Sequence, residues 1–433
     1  MIDDRGARSP IRTHARILGA AMVGTAVEFY DFYIYATAAA LVFGPLFFPA
    51  SSAAAQTMFA LLSFGIAFVA RPIGAVAFGH FGDRIGRKST LVVSLLLMGG
   101  STLAIAFLPT YAQIGWVAPL LLCVLRFGQG FGLGGEWGGA ALLAVENAPP
   151  GWEARFGAAP QLGGPIGFLF ANGLFLLLGL LLSPADFMAW GWRIPFLASS
   201  LLVGIGLWVR VSVGETPAFK AAQRIEHPPA VPLAQLIGKH GGTLLAGCAG
   251  VVACFAVFYL ATAWALAEGT GPLGYPRELF LSLQLGANLF FGLGIVCAAV
   301  ACDRFGPRSV LILGALLTVP FGLVFGPGIM SGSTLLIFTT LSSALMLMGL
   351  LYAPLSSWLV SLFPVHVRYS GISVAFNAGG IIGGAVAPLL AQMMSAAGGA
   401  AYVGLVLSIA GVVTLLGALL AQRQPALVRS FQP

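Results

Sequence analysis

Charged side chains are scarce in this sequence. Only 8% of the 433 residues are Asp, Glu, Lys or Arg, whereas 58% are hydrophobic and the mean hydropathy is +0.95. Soluble domains carry about 25% charged residues, so the composition excludes an ordinary water-soluble protein. The few charges fall in short clusters between long apolar runs, which predicts a chain that crosses a membrane several times.

Metal and nucleotide motifs are scarce as well. The five cysteines have neither CxxC nor metal-ligand spacing, so we predict packing roles for them and neither a metal nor a cofactor. Gly130, Gly132 and Gly135 formally satisfy GxGxxG, but they lie inside an apolar run and no Walker A lysine is present. A nucleotide-binding enzyme or ATP-driven pump is therefore not supported, and the glycine spacing favours close helix packing.

The apolar runs are long enough to span a bilayer, which takes roughly 20 helical residues. Twelve runs are predicted, at 17–48, 57–79, 89–109, 114–145, 156–183, 193–213, 241–267, 278–301, 309–328, 334–363, 371–396 and 401–421. The first run contains Glu28 and Asp31 and is too long for the apolar part of a signal peptide, so we expect it to be an uncleaved membrane span.

The basic residues predict the orientation of the chain, because positively charged loops remain in the cytoplasm. With both termini cytoplasmic, 17 of the 21 Lys and Arg residues lie inside, leaving Arg193 and Arg277 outside and Arg71 and Arg126 within the membrane. This topology accounts for the basic composition, so no nucleic-acid partner is predicted.

The chain also divides into two halves. A polar interval at 214–240 separates a six-helix bundle at 17–213 from a second bundle at 241–421, with cytoplasmic tails at 1–16 and 422–433. GHFGDRIGRK at 79–88 is echoed by AVACDRFGPR at 299–308, each between the second and third span of its half. Repeated halves of this kind are typical of transporters, whose substrate site lies between the repeats near the membrane midplane.

Several of these segments resemble those of a known family. GHFGDRIGRK resembles the loop signature of the major facilitator superfamily, and RFGQGFGLGGEWGG at 126–139 is similar to its fourth-helix motif, which is associated with proton coupling. EFYDFYIY at 28–35, FVARPIGAVAFGHFGDRIGRK at 68–88 and LFPVHVRYSG at 362–371 resemble the metabolite:proton symporter family of bacterial inner membranes. The resemblance implies an all-α membrane protein with the major facilitator fold, and a cargo such as shikimate, 2-oxoglutarate, citrate, proline or betaine.

Ionisable residues within the spans are the candidates for substrate binding or proton coupling, because each costs at least about 2.5 to 3.5 kcal/mol to insert. The candidates are Glu28, Asp31, Arg71, Arg126 and Glu136, with Gln129 from the fourth-helix motif and the amides Asn288 and Asn377 from the second half. We predict that Arg126 or Arg71 holds a substrate carboxylate while a nearby acid takes up a proton. The alternative is that these charges neutralise each other and only hold the bundle together.

The repeated loops are the candidates for a cytoplasmic gate. In the first half these residues are Gly79, Asp83, Arg84, Gly86, Arg87 and Lys88, and in the second half they are Asp303, Arg304 and Arg368. The resemblance implies that Asp83 faces the start of the eleventh helix, where a helix N-terminus attracts negative charge. Topology alone explains the bases but not the acid.

The sequence as a whole predicts a proton-coupled symporter of the bacterial inner membrane that imports a small organic acid or zwitterion. Its partners would be that substrate, protons and the lipid bilayer. A proton-antiport exporter and an uncoupled facilitator remain open as alternatives. A membrane enzyme or sensor is not favoured, because neither a catalytic constellation nor a soluble output domain is visible.

Overall fold

The computed structural model describes residues 14–49, 52–85, 87–134, 136–212, 232–364 and 367–421. Side chains are described throughout these ranges except at 16, 17, 79–85, 87–91, 136, 143, 208–212 and 232–235. Within the described ranges the chain is helical with short connections, and they contain no strand.

Twelve apolar helical segments follow one another along the described chain. The first six are α1 (Leu18–Phe47), α2 (Ala53–Phe78), α3 (Val92–Ala106), α4 (Val117–Glu146), α5 (Glu153–Leu181) and α6 (Gly191–Leu207). The second six are α7 (Leu236–Thr270), α8 (Arg277–Phe305), α9 (Pro307–Ile329), α10 (Thr334–Leu362), α11 (Arg368–Ala396) and α12 (Ala400–Leu420). Each predicted apolar run falls on one of these segments.

Ten of the twelve segments are long and apolar enough to cross a membrane by themselves. The other two are parts of longer helical stretches, since α3 lies within the helix Arg87–Ala106 and α6 continues through the helix Ile194–Ser212.

The predicted linker at 214–240 lies partly outside the described residues. From Pro232 the chain is helical, in the helix Pro232–Tyr259, and this helix is interrupted at His240, where φ is −125° and ψ is 19°. A short helical segment therefore precedes the membrane part of α7 within the predicted linker. The exact division into tails, bundles and linker stays a prediction.

The polarity of the molecule is the reverse of a soluble protein's. Apolar side chains on the outer faces are widely exposed, as at Phe170 (63%), Leu289 (70%) and Leu420 (72%). Arg126 is fully buried, and Asp31 is 2% exposed. Exposed apolar faces around a core that holds charge suit a lipid solvent, in which every polar group must be satisfied inside the protein.

In the part of the chain that the structure describes, three helices contain short π-helical segments, in which the backbone bulges. They lie at Ala39–Phe43 in α1, Leu260–Trp264 in α7 and Ile381–Val386 in α11. Such bulges are frequent at functional sites. The segments of α1 and α7, the first helices of the two sets of six, contact each other.

The two sets of six helices meet along several of their members. Helix α5 packs against α8 and α10, and α2 packs against α11. The central side chains of these helices therefore face the seam between the two sets, where the sequence places the substrate site.

Candidate functional site

Two buried arginines occupy the centre of the first six helices. Arg71 of α2 is 3% exposed and Arg126 of α4 is fully buried. Helices α2 and α4 approach closely because α4 carries glycine there: a Cβ at Gly130 would lie 2.3 Å from the carbonyl oxygen of Ala67, and one at Gly134 would lie 2.1 Å from that of Arg71. The predicted packing role of these glycines is what brings both arginines into one site.

Arg126 is linked to Asp31 by a chain of hydrogen bonds. Its Nη1 donates to Oε1 of Gln129 (3.0 Å), whose Nε2 donates to the hydroxyl of Thr102 (2.7 Å). Thr102 lies 3.1 Å from Oδ2 of Asp31 and 3.0 Å from the carbonyl oxygen of Met98. A hydroxyl has only one hydrogen to donate, so Thr102 donates either to the carboxylate or to the backbone carbonyl at any one time.

Several polar atoms of this chain are left without a partner. Oδ1 of Asp31, Nη2 of Arg126 and Nε of Arg71 are buried and have no hydrogen-bond partner among the described residues. Ser199 lies next to the Asp31 carboxylate, but its hydroxyl also lacks a partner. A buried polar atom without a partner costs about 1 to 3 kcal/mol, and more if charged, so the site retains capacity for a proton and for an anion.

Aromatic rings surround the two guanidinium groups. The ring of Phe32 has Cζ of Arg71 at 4.3 Å and Cζ of Arg126 at 4.2 Å from its centroid. Tyr35 and Phe64 also stack on Arg126, at 4.0 and 4.9 Å. Since ring faces attract cations, these contacts hold both arginines without a neutralising ion pair between Asp31 and either of them.

A small cavity lies at the seam between the two sets of helices. Glu28, Arg71 and Trp137 line it from the first set, and Phe376 and Asn377 line it from the second. Its free volume is about 20 Å³, which is room for about one water molecule. The cavity therefore joins an acid, a base and an amide in a form too tight for a metabolite.

Trp137 closes this cavity against α10 and α11. Its ring stacks on that of Phe376, with centroids 3.6 Å apart and planes inclined by 4°. Its Nε1 donates to the hydroxyl of Tyr352 at 2.9 Å. One side chain of α4 thus contacts two helices of the second set.

Buried amides also cross the seam. Asn377 donates to the carbonyl oxygen of Gly134 and Asn288 to that of Pro165, both at 2.8 Å. In the opposite direction, Gln161 donates to the carbonyl oxygen of Tyr352 at 2.8 Å. Asn377 lines the cavity, whereas Asn288 contacts the backbone of α5.

At the predicted cytoplasmic end, Asp303 of α8 binds the start of α5. Its carboxylate accepts from the backbone N–H groups of Ala154 (2.9 Å) and Arg155 (3.3 Å) and pairs with Nε of Arg155 at 2.5 Å. The orphan N–H groups of a helix N-terminus favour this negative charge. The structure thus brings the second-half acid against a helix of the first half.

The other predicted gate residues differ in their surroundings. Arg368 pairs with Glu146 of α4 at 3.3 Å and donates to the carbonyl oxygen of Phe363. Arg304 is exposed and contacts the neighbouring ring of Phe305. The remaining predicted site and gate residues lie outside the side chains that the structure describes, so their roles stay predictions. They are Gly79, Asp83, Arg84, Gly86, Arg87, Lys88 and Glu136.

The opposite end of the molecule is joined differently. Arg277 at the start of α8 stacks on Phe187, with Cζ 3.8 Å from the ring centroid, and pairs with Glu278 at 2.5 Å. Phe187 lies in the short helix Pro184–Ala189 between α5 and α6. The two sets of helices therefore touch at both ends, with the small cavity between.

Sequence reasoning missed the buried acid Glu268. It is 2% exposed in α7, and Ser395 of α11 donates to its Oε2 at 2.5 Å. The predicted seventh span ended at 267, one residue short of it. A single acid in an otherwise apolar stretch was the available signal. Thr102 was also missed, because a lone threonine in an apolar helix carries no signal.

The described part of the chain contains no cluster of side chains suited to bind a metal ion. The His, Cys, Asp and Glu side chains there form no group of three that could hold a metal ion. The five cysteines are unpaired with one another. The chemical capacity of the site thus lies in its arginines, acids and amides.

Comparison with known proteins identifies relatives along nearly the whole chain. A family model described as "Sugar (and other) transporter" matches residues 17–230. The inner membrane metabolite transport protein YhjE of Escherichia coli K12 is 47% identical over 424 residues, covering 97% of this chain and 96% of that protein. The shikimate transporter of the same organism is 37% identical, covering 90% of each chain.

A solved structure has the same arrangement of helices. The xylose transporter XylE from E. coli, in a partially occluded inward-open conformation, matches with a TM-score of 0.71 over 93% of this chain and 96% of that one. The two sequences are 15% identical, so this likeness shows a shared fold and nothing about the cargo.

Proposed function

Since this chain belongs to the major facilitator superfamily, among the bacterial metabolite transport proteins, we propose that it is a proton-coupled symporter of the inner membrane. The predicted family and all-α fold are confirmed, and the chain is a metabolite transporter rather than an enzyme. The cargo we propose is a small organic acid or zwitterion, moved inward, with both termini in the cytoplasm.

The observation that carries this proposal is a buried arginine at the seam. Arg71 lines the cavity between the two sets of helices, and its Nε has no partner among the described residues. A planar guanidinium matches a carboxylate by paired hydrogen bonds. Shikimate, which the 37% identical relative transports by its name, carries such a carboxylate.

Asp31 is the proposed proton site. It is buried at 2% exposure, Thr102 donates a hydrogen bond to its Oδ2, Ser199 lies next to the carboxylate, and its Oδ1 has no hydrogen-bond partner among the described residues and can accept a proton. Glu28, which shares the cavity with Arg71, is the second acid at hand.

Proton and substrate favour each other through charge. When Asp31 is protonated, the two buried arginines lose half of the negative charge that the two acids supply. A substrate carboxylate at Arg71 then restores the balance, so that each ligand raises the affinity for the other by the same factor. Carriage of both together is the proposed symport.

Alternating access follows from the two closed ends. The Asp303 contact with α5 and the Arg277 contact with Phe187 each have to break in turn for the cavity to open to one side. With only about 20 Å³ of free space, the described form corresponds to the closed intermediate between the two openings.

The test uses the purified protein in right-side-out proteoliposomes with an acidic exterior. Shikimate, 2-oxoglutarate, proline and betaine are offered singly with a radioactive label. With one proton per substrate and a gradient of about two pH units, accumulation of up to about 100-fold is expected, and a protonophore should abolish it.

Asp31→Asn provides the matched variant. It should lose accumulation against a gradient but retain exchange of labelled for unlabelled substrate, since exchange needs no net proton movement. Accumulation that ignores the pH gradient would instead indicate an uncoupled facilitator. Substrate driven out of the vesicles by an acidic exterior would indicate an exporter.

A further inference from the structure

We propose that Phe32 is the positioning residue that couples the proton on Asp31 to substrate at Arg71. This inference rests on the proposed function, because it concerns how the same two sites communicate. The ring itself neither binds the proton nor contacts the substrate carboxylate.

The geometry singles out this ring. Among the described residues, Phe32 is the aromatic side chain on which both guanidinium groups lie at about the same distance, 4.3 Å for Arg71 and 4.2 Å for Arg126. Phe68 stacks only on Arg71, and Tyr35 and Phe64 stack only on Arg126. The two arginines come from different helices, so Phe32 of α1 is their common neighbour.

A ring is the suitable group at this place. Two buried cations repel each other, and each needs a partner of negative potential once water is excluded. The faces of a benzene ring provide that potential without carrying a charge. Phe32 can therefore hold both arginines while leaving Nε of Arg71 free for a carboxylate.

The ring is also tied to the proton site by the chain itself. Phe32 follows Asp31 directly in α1, and Arg126, on the ring, is the far end of the hydrogen-bond chain through Gln129 and Thr102. A change of charge at Asp31 thus reaches Phe32 both along α1 and through Arg126. The ring transmits it to Arg71.

On its other edges Phe32 meets the seam. Its centroid lies 5.2 Å from that of Phe68 and 6.1 Å from that of Tyr259 in α7, a helix of the second set. The ring is 3% exposed, so it cannot move without moving one of these neighbours. Displacement at Phe32 is therefore communicated to the surface on which the two sets rock.

The experiment compares three proteins reconstituted with a pH-sensitive dye inside the vesicles. They are the wild type, Phe32→Leu and the control Phe43→Leu, which removes a buried ring of α1 that packs on Tyr35, Phe47 and Trp192 and has no cation–π contact with an arginine among the described residues. The probe is an equimolar mixture of labelled shikimate, proline and betaine, and both label and proton uptake are recorded.

For Phe32→Leu we expect the apparent KM to rise about tenfold or more, because a desolvated cation–π contact to Arg71 is lost. The ratio of protons to substrate should fall at least several-fold, while the maximal rate of exchange stays within about threefold of the wild type. Phe43→Leu should keep the wild-type ratio and KM. A ring with a purely structural role would lower the amount of active protein and leave the ratio unchanged.

Two further substitutions keep the test decisive if Phe32→Leu does not fold. Phe32→Tyr retains the ring and should retain the wild-type ratio, whereas pentafluorophenylalanine at position 32 keeps the shape but reverses the potential of the ring faces and should lose it. Wild-type coupling in the fluorinated protein overturns the role of Phe32. A wild type that moves the probe without protons, or not at all, overturns the proposed function and this inference with it.

Discussion

The two sets each contain six apolar helical segments, but they differ in the residues buried at their centres. Among the described residues, the first set buries two arginines and two acids, of which Arg71 and Glu28 line the cavity. The second set faces them with the amides Asn288 and Asn377 and with aromatic rings. Its described buried acid, Glu268, lies near the C-terminal end of α7 and does not line the cavity. Among the described residues, the charges that we propose to bind the substrate and couple the proton are thus on one side of the seam.

From this difference we propose separate tasks for the two sets. A charged site built within one set can form before the sets close, because its contacts do not depend on the seam. The amides of the second set donate to backbone carbonyls of the first, which lie across the seam. We therefore expect these hydrogen bonds to stabilise the closed form and to break when it opens.

The largest effect on this difference between the two sets is expected from removing the guanidinium group of Arg71. For Arg71→Ala we expect initial uptake of shikimate to fall by about 10² to 10³, because a charge-assisted pair in a dry site is lost. Arg71→Lys keeps the charge without the planar fork and should restore only part of the rate. Wild-type uptake by Arg71→Ala would place the substrate elsewhere.

A smaller effect is expected from the amides of the second set. Asn377→Ala leaves the carbonyl of Gly134 without this donor and should destabilise the closed form by about 1 to 2 kcal/mol. We expect the exchange rate to fall by the corresponding factor, roughly five- to thirtyfold. The measurement is the exchange rate, which depends on passage through the closed form. Asn288→Ala is the companion variant, and a loss as large as that of Arg71→Ala would remove the distinction between the two sets.

The smallest effect is expected at the predicted cytoplasmic end. Asp303→Asn weakens the bonds to the N–H groups of Ala154 and Arg155, and we expect hydrogen exchange of these two amides to rise a few-fold. The effect is limited because Arg155 is 29% exposed and its ion pair is screened by water. Arg368→Gln, whose partner Glu146 is 48% exposed, serves as the control and should leave these amides unchanged. Equal hydrogen exchange at Ala154 and Arg155 in both variants would contradict a stabilising contact between Asp303 and the start of α5.

Much of the fold was predictable because membrane helices depend on local composition. A run of about 20 apolar residues has few other solutions in lipid, and the cost of burying charge pointed to Arg71 and Arg126 before any contact was known. The glycines of α4 were likewise predictable as packing positions from their spacing of four. These signals are all local in the chain.

The hydrogen bonds and contacts within the site were not predictable, because they depend on how the helices pack against one another. Glu28 and Asp31 share a helix face in the sequence, yet residues three apart differ by about 60° around the axis. In the structure this is enough to point Glu28 to the seam and Asp31 to Thr102 of α3. Glu268 was missed for a different reason, since the boundary of a span is the least certain part of a hydropathy pattern.

The charges that the structure describes as buried in the first set have an electrical consequence. With both acids ionised, Glu28, Asp31, Arg71 and Arg126 sum to zero, and a carrier loaded with one proton and one carboxylate has the same sum. Each elementary charge moved through 100 mV changes the energy by about 2.3 kcal/mol. We therefore expect the rocking of these central residues, empty or loaded with a monoanion, to be nearly indifferent to the membrane voltage, so that acidity alone would power the accumulation of such a cargo.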